Sequence, residues 1–272
     1  MIKIHQKLID LDQLYTEIPS KQKLKIMKLM AKSNKVYEYG TIGELEFELM
    51  MRLQIVRAAV LLNKSGADFA TFTTSRCNEK YWRLTEKGAF VLKENVLPQT
   101  AIKDIFINGK LYAFECATAM VIIFYKAVFE SIEKAAFNRL FSGLILFDWK
   151  YDEDLNLRIY DGTEFLPGDC VYFKNPDFDP STPHWQGENG IVLDHDLYFA
   201  HGIGIVNGKL IIDFLNTKRK RNFSQSAYLM SFITQVNFQY LSQFKVNRLR
   251  ETSDQLHSNL IISEIGSKLY IG

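Results

Sequence analysis

The stretch from Ala117 to Phe129 limits the fold more than any other part of the chain. It is the most apolar segment, and Lys126 is its only charge. A helix that is apolar on all sides must be buried on all sides. It is too short for the ~20 apolar residues that a membrane span needs. The pattern therefore predicts a core helix running from Cys116 to about Leu140, the longest in the chain. After it the periodicity changes. Leu144–Trp149, Cys170–Lys174, Gly190–Leu193, Tyr198–His201, Gly202–Val206 and Lys209–Phe214 all read as strands. Asn207-Gly208 lies between the last two as a type I′ hairpin signal. Helices followed by an antiparallel run predict an α+β fold with a sheet packed against the Cys116 helix.

Upstream, Thr41-Ile-Gly-Glu44 reads as a capping box. Leu45, Leu49, Leu53, Val56 and Val60 follow at helical spacing, and Ser65-Gly66 ends the helix. Phe69–Thr74, Tyr81–Leu84 and Ala89–Leu92 read as strands, with a turn at Glu86-Lys87-Gly88. Pro98 opens a short helix that Gly109 closes. Residues 1–40 are Lys-rich and predict short helices around a Pro19-Ser20 loop. Ser224–Thr234 reads as helical, and 235–272 is a tail of mixed character. The expected organisation is one domain over 1–272: an N-terminal helical segment (1–40), a catalytic core (41–234) and the tail (235–272).

Composition narrows the function. At 272 residues, 47% hydrophobic and 24% charged, the chain can bury a real core. A net charge of +2 does not favour nucleic acid. The only dense basic run, Lys218-Arg219-Lys220-Arg221, reads as a solvated loop, with attraction of an acidic protein partner as the other reading. Three cysteines leave at least one unpaired, as in a reducing compartment. No signal-peptide segment opens the chain, so the expectation is synthesis and retention in cytoplasm.

Cys116 begins the buried helix. A thiol at a helix N-terminus feels the positive end of the dipole, which favours the thiolate, the attacking species in nucleophilic catalysis. The competing reading is a small buried hydrophobe. Cys77, in a polar loop, and Cys170, at a strand start, read as incidental and as packing. Partners for a nucleophile are sought among Glu115, Glu188, His184, His195 and His201. His195 lies in a polar turn and His184 in a loop. His201 closes an apolar strand and is equally readable as a core histidine.

The order Cys116, Pro167-Gly-Asp169, Glu188-Asn-Gly-Ile191, Phe199-Ala-His201 resembles the papain-like NlpC/P60 core. That core carries histidine where this chain has Glu188. A closer resemblance is to the small bacillar spore-coat protein-glutamine gamma-glutamyltransferases. It rests on Lys64-Ser-Gly-Ala67, Phe69-Ala-Thr-Phe72, Tyr112-Ala-Phe-Glu-Cys-Ala-Thr-Ala119, Phe165-Leu-Pro-Gly-Asp-Cys170, Tyr172-Phe-Lys-Asn-Pro176, Trp185-Gln-Gly-Glu-Asn189 and Tyr198-Phe-Ala-His-Gly202. Asn207-Gly-Lys209 and Gln225-Ser-Ala-Tyr-Leu229 continue it.

This resemblance implies isopeptide cross-linking of protein glutamines to protein lysines through a thioester on Cys116. Glu188 would be the proton acceptor, Glu115 a partial substitute and His201 the third, orienting residue. Phe69, Trp149, Tyr172 and Trp185 would form a dry substrate channel, or else ordinary core. No cofactor and no calcium are expected. The expected partners are proteins bearing Gln and Lys, above all spore-coat proteins, with no nucleic acid and no membrane. The expected place is the mother-cell cytoplasm and then the coat. A cysteine hydrolase on the same core and an inactive coat component are the alternatives.

Overall fold

A computed structural model describes residues 1–9 and 20–246, together with the backbone of 262–265 and 268–271. The described residues hold seven α-helices: α1 (Lys21–Lys32), α2 (Ile42–Ser65), α3 (Pro98–Ile107), α4 (Cys116–Phe129), α5 (Lys134–Leu140), α6 (Gly208–Asn216) and α7 (Phe238–Ser242). The main sheet has seven strands: β1 (Leu157–Asp161), β2 (Cys170–Lys174), β3 (Gly187–Asp194), β4 (Leu197–Ala200), β5 (Gly204–Val206), β6 (Tyr228–Leu229) and β7 (Phe232–Val236). Its order is β5-β4-β3-β2-β7-β1, with β6 also on β2, and every pairing is antiparallel.

The two sheet faces read directly from strand alternation. Ile191, Leu193 and Phe199 join Ile55, Ala59 and Val60 of α2 and Met120, Ile123 and Phe124 of α4 in the principal core. Val171, Phe173, Val192 and Tyr198 point the other way, onto Ile211 and Leu215 of α6. Each fully buried side chain of this size stabilises by roughly 1.5–3 kcal/mol, so α4 is held from every direction, as its composition requires. Among the described residues, no helix is long and apolar enough to cross a membrane.

The predicted capping box forms. Thr41 Oγ1 accepts from Glu44 N–H, Glu44 accepts in return from Gly40 N–H, and Gly66 ends α2 in the left-handed region. Several expectations are corrected. The helix from Cys116 does not reach Leu140, and α2 is longer. Glu133 N–H donates to Phe244 O, and Ile132 bridges Lys245, so residues 130–133 leave the helix to pair with the chain after α7. Lys209–Phe214 is not a strand, and Asn207-Gly208 is not a hairpin. Asn207 Oδ1 caps α6 by accepting from Leu210 N–H at 2.9 Å, and Gly208, Ile211 and Leu215 share its buried side. Residues 224–234 hold no helix; they are loop up to β6 and run into β7. Phe69–Thr74 pairs only at Asp68–Phe69 and then turns into a short 3-10 helix at Phe72–Thr74.

Residues 1–40 are not wholly helical. Strands at 2–4, 7–8 and 37–39 form a small sheet beside α1, whose N-cap is Ser20. Pro19 lies outside the described residues. So does tail segment 247–261, although 262–265 and 268–271 pair as an antiparallel ribbon.

Candidate active site

Cys116 is the first residue of α4, and Glu115 is its N-cap. Glu115 Oε2 accepts from Ala117 N–H at 2.8 Å, while Oε1 accepts from the Cys116 thiol at 3.1 Å. One carboxylate thus closes the helix start and holds the sulfur's proton. From the sheet side, Asn189 Nδ2 donates to Cys116 Sγ at 3.4 Å. Glu188, beside it on β3, is 0% exposed, and among the described residues its carboxylate has no side-chain partner, only the nearby His201 backbone N–H.

The electrostatics differ from the dipole-stabilised thiolate expected from sequence. Burial pushes the Cys116 thiol well above its ordinary value, and the charges of Glu188 and Glu115 push it further in the same direction. Burial and then Glu115 raise Glu188 well above the usual carboxylate range. Burial also raises Glu115, against the pull of the Cys116 and Ala117 hydrogen bonds. With the sulfur and both carboxyl groups all raised, the resting sulfur is a thiol. The helix dipole is present, but desolvation and two carboxylates outweigh it.

His201 is not brought onto the sulfur. Its Nε2 lies 3.1 Å from the Asp68 carbonyl oxygen, and its ring stacks on Phe114 at 4.8 Å and 20°. Burial pushes its pKa down to about 4, so it is neutral at pH 7. It ties β4 to the parallel pair of strands 68–69 and 113–114 immediately before the nucleophile.

A cavity of about 520 Å³ reaches Cys116 and Glu115. Of the predicted channel residues, Trp149 and Tyr172 line it. Phe69 and Trp185 do not. They stack on each other at 5.0 Å and 17°, beside His184, which does line it. Trp149 is placed by α4 itself, because Thr118 Oγ1 accepts from Asp148 N–H at 2.9 Å and Asp148 turns through a positive φ of 51°. Tyr172 passes over Gly187. A Cβ there would meet its hydroxyl at 2.1 Å, so only glycine fits.

Sequence reading missed Asn189, Asp148 and Gln186 as site residues. Asn189 carried a usable signal, since it shares alternation with Ile191 and Leu193, which face α4. His195 lies in a turn, where its backbone N–H donates to Asp194. Cys77 is half-buried, and Cys170 is buried at the cavity wall. Among the described residues, no group of three or more His, Cys, Asp or Glu side chains is placed to hold a metal ion.

The papain-like arrangement has relatives. The chain is 50% identical over 212 residues to a protein-glutamine gamma-glutamyltransferase of Bacillus subtilis, covering 78% of this chain and 86% of that protein. A Bacillus cereus protein of the same name is 42% identical over 248 residues, 90% of each chain. The solved transglutaminase from Geobacillus stearothermophilus, without its C-terminal extension, superposes with a TM-score of 0.74 at 55% identity, covering 76% of this chain and 99% of that one. The family model described as protein-glutamine gamma-glutamyltransferase matches residues 1–245. By this match and these identities, the chain belongs to the protein-glutamine gamma-glutamyltransferase family and is an acyltransferase.

Proposed function

We propose that the enzyme forms ε-(γ-glutamyl)lysine cross-links through a thioester on Cys116. The observation that carries this reading is the buried thiol in the wall of a cavity, hydrogen-bonded to Glu115, with the Glu188 charge acting on it from behind. A donor glutamine side chain enters the cavity. The thiol proton passes to a carboxylate as sulfur attacks the γ-carboxamide carbon. The carbon–nitrogen bond breaks, and the proton leaves with the amide nitrogen as ammonia. A lysine amine then attacks the thioester, gives up a proton to the carboxylate and regenerates the thiol.

Raised carboxyl groups suit this exchange, because a proton acceptor works best with a pKa near the operating pH. Glu188 is the principal acceptor in this account, and Glu115 is its partial substitute. His201 acts through the backbone it anchors. Tyr172 and Trp149 keep water from the thioester. The carboxylate of Asp148 at the cavity wall and the face of Trp149 attract the incoming ammonium. No cofactor or calcium takes part in these steps.

Spore-coat proteins are the proposed substrates, and the mother-cell cytoplasm followed by the coat is the proposed setting. Support for both comes from the motif resemblance, above all Tyr112–Ala119 and Phe165–Cys170. The test is incorporation of a labelled primary amine into a glutamine-bearing protein, with and without a calcium chelator, alongside released ammonia. The reading expects incorporation matched by ammonia and indifferent to chelation. Glutamate formation without amine incorporation would assign the chain to hydrolysis instead.

A further inference from the structure

Both carboxylates oppose charge on the sulfur, and His201 is occupied elsewhere, so something must favour the anion during attack. The Cys116 proton points to Glu115 Oε1, which leaves the sulfur lone pairs for other contacts. Asn189 is the described side chain that meets them, with Nδ2 at 3.4 Å, a normal length for a donor on large sulfur. Because the thiol already donates to Glu115, sulfur is the acceptor here. This orients the amide with its nitrogen toward Sγ.

Asn189 is 6% exposed and held on β3 opposite Tyr172 of β2, so the amide is fixed before substrate arrives. Its hydrogen bond draws the thiol down, against burial, Glu188 and Glu115. A neutral donor suits the position. A cation would pair with the carboxylates and take them out of proton transfer, whereas an amide cannot protonate them.

We propose that Asn189 is a catalytic residue, its side-chain amide holding the Cys116 sulfur while the thiol gives up its proton and attacks. The S–H proton goes to a carboxylate and the electron pair stays on sulfur. The N–H···S contact tightens without any covalent change at Asn189. When ammonia has left and the thioester stands, the sulfur is neutral and the contact relaxes. When the amine attacks, the same donor receives the departing thiolate. The inference rests on Cys116 being the nucleophile, as proposed above.

The test is the pH dependence of Cys116 alkylation by iodoacetamide in the full-length enzyme, read by peptide mass spectrometry so that Cys77 and Cys170 are counted separately. Asn189→Ala moves the alkylation midpoint to higher pH. It lowers kcat by roughly 10- to 100-fold, the range for a hydrogen bond to a charged group. KM for the glutamine donor stays within about twofold, as for an interaction made only in the transition state. Asn189→Asp keeps the shape, adds a third carboxylate, and moves the midpoint further. It decides the matter if the alanine variant does not fold. An unmoved midpoint or an unchanged kcat in a folded variant overturns the proposal. The nucleophile reading fails separately, if Cys116→Ala still cross-links.

Discussion

Arg52 Nη1 lies 2.7 Å from Asp169 Oδ1, and both side chains are 1% exposed. Arg52 Nε also meets Glu48 Oε1 at 2.9 Å, and Nη1 donates to the Pro167 carbonyl. Asp169 Oδ2 accepts from Leu166 N–H, and Gln235 donates to Oδ1. Burial works against the Arg52 charge, but Asp169 and Glu48 outweigh it and hold the guanidinium above its ordinary value. The Pro-Gly-Asp run is thereby clamped onto α2, with Gly168 at φ 88° so close that a Cβ would meet the Arg52 Cα at 2.9 Å. This clamp sets where β2 begins, and β2 supplies Cys170 and Tyr172 to the cavity wall. Asp169→Ala leaves buried positive charge under-compensated. Urea unfolding should show a loss of about 3–5 kcal/mol, the range for breaking a buried pair from one side. A loss under about 1 kcal/mol would mean that water or Glu48 suffices.

His201 gives stability a pH dependence of known sign. Its folded value, about 4, lies below the 6.5 of the free side chain. Between those values the unfolded chain binds the proton and the folded one does not. Its contribution is therefore complete above pH 6.5 and is lost as pH falls toward 4, by about 3 kcal/mol over the window. The measurement is the stability difference between wild type and His201→Gln at several pH values. The wild type should lose ground to the variant on acidification. A constant difference contradicts a neutral buried imidazole.

Glu188 acts with the opposite sign. Its folded pKa is raised, so its contribution is complete below about 4.5 and declines as pH rises. Glu188→Gln should therefore gain stability on the wild type as pH increases above 4.5. In catalysis, each single glutamate variant keeps part of the activity because the other carboxylate remains. Glu115→Gln with Glu188→Gln should lower kcat by about 10²–10⁴, the usual worth of a proton-transfer group. Full activity in the double variant contradicts a carboxylate base.

The outline of the fold was legible where local chemistry and burial agree. Thr41 and Glu44 announce α2, the composition of 117–129 announces a buried α4, and Cys116 marks its start. Legibility failed where a tertiary contact decides. Nothing local in residues 130–133 announces that Glu133 will pair with Phe244. Asn207 serves a hairpin and a helix cap equally well, and only the burial of Ile211 and Leu215 selects the cap. The site was legible as a set of residue types and less so as electrostatics. A helix N-terminus predicts a stabilised thiolate. How far the buried Glu188 and the half-buried Glu115 overcome it depends on distances that sequence does not carry. The Phe69–Trp185 stack lies outside the cavity lining for the same reason: aromatic content marks a wall without saying which side of it faces the substrate.

The most direct measurement is the intact mass of the enzyme after brief exposure to a glutamine-bearing peptide without any amine, quenched in acid. The account predicts an adduct of the peptide mass less one ammonia, mapped to Cys116, removed by added lysine analogue and absent from Cys116→Ala. Cross-linking activity with no such adduct, or with the adduct on another residue, contradicts it.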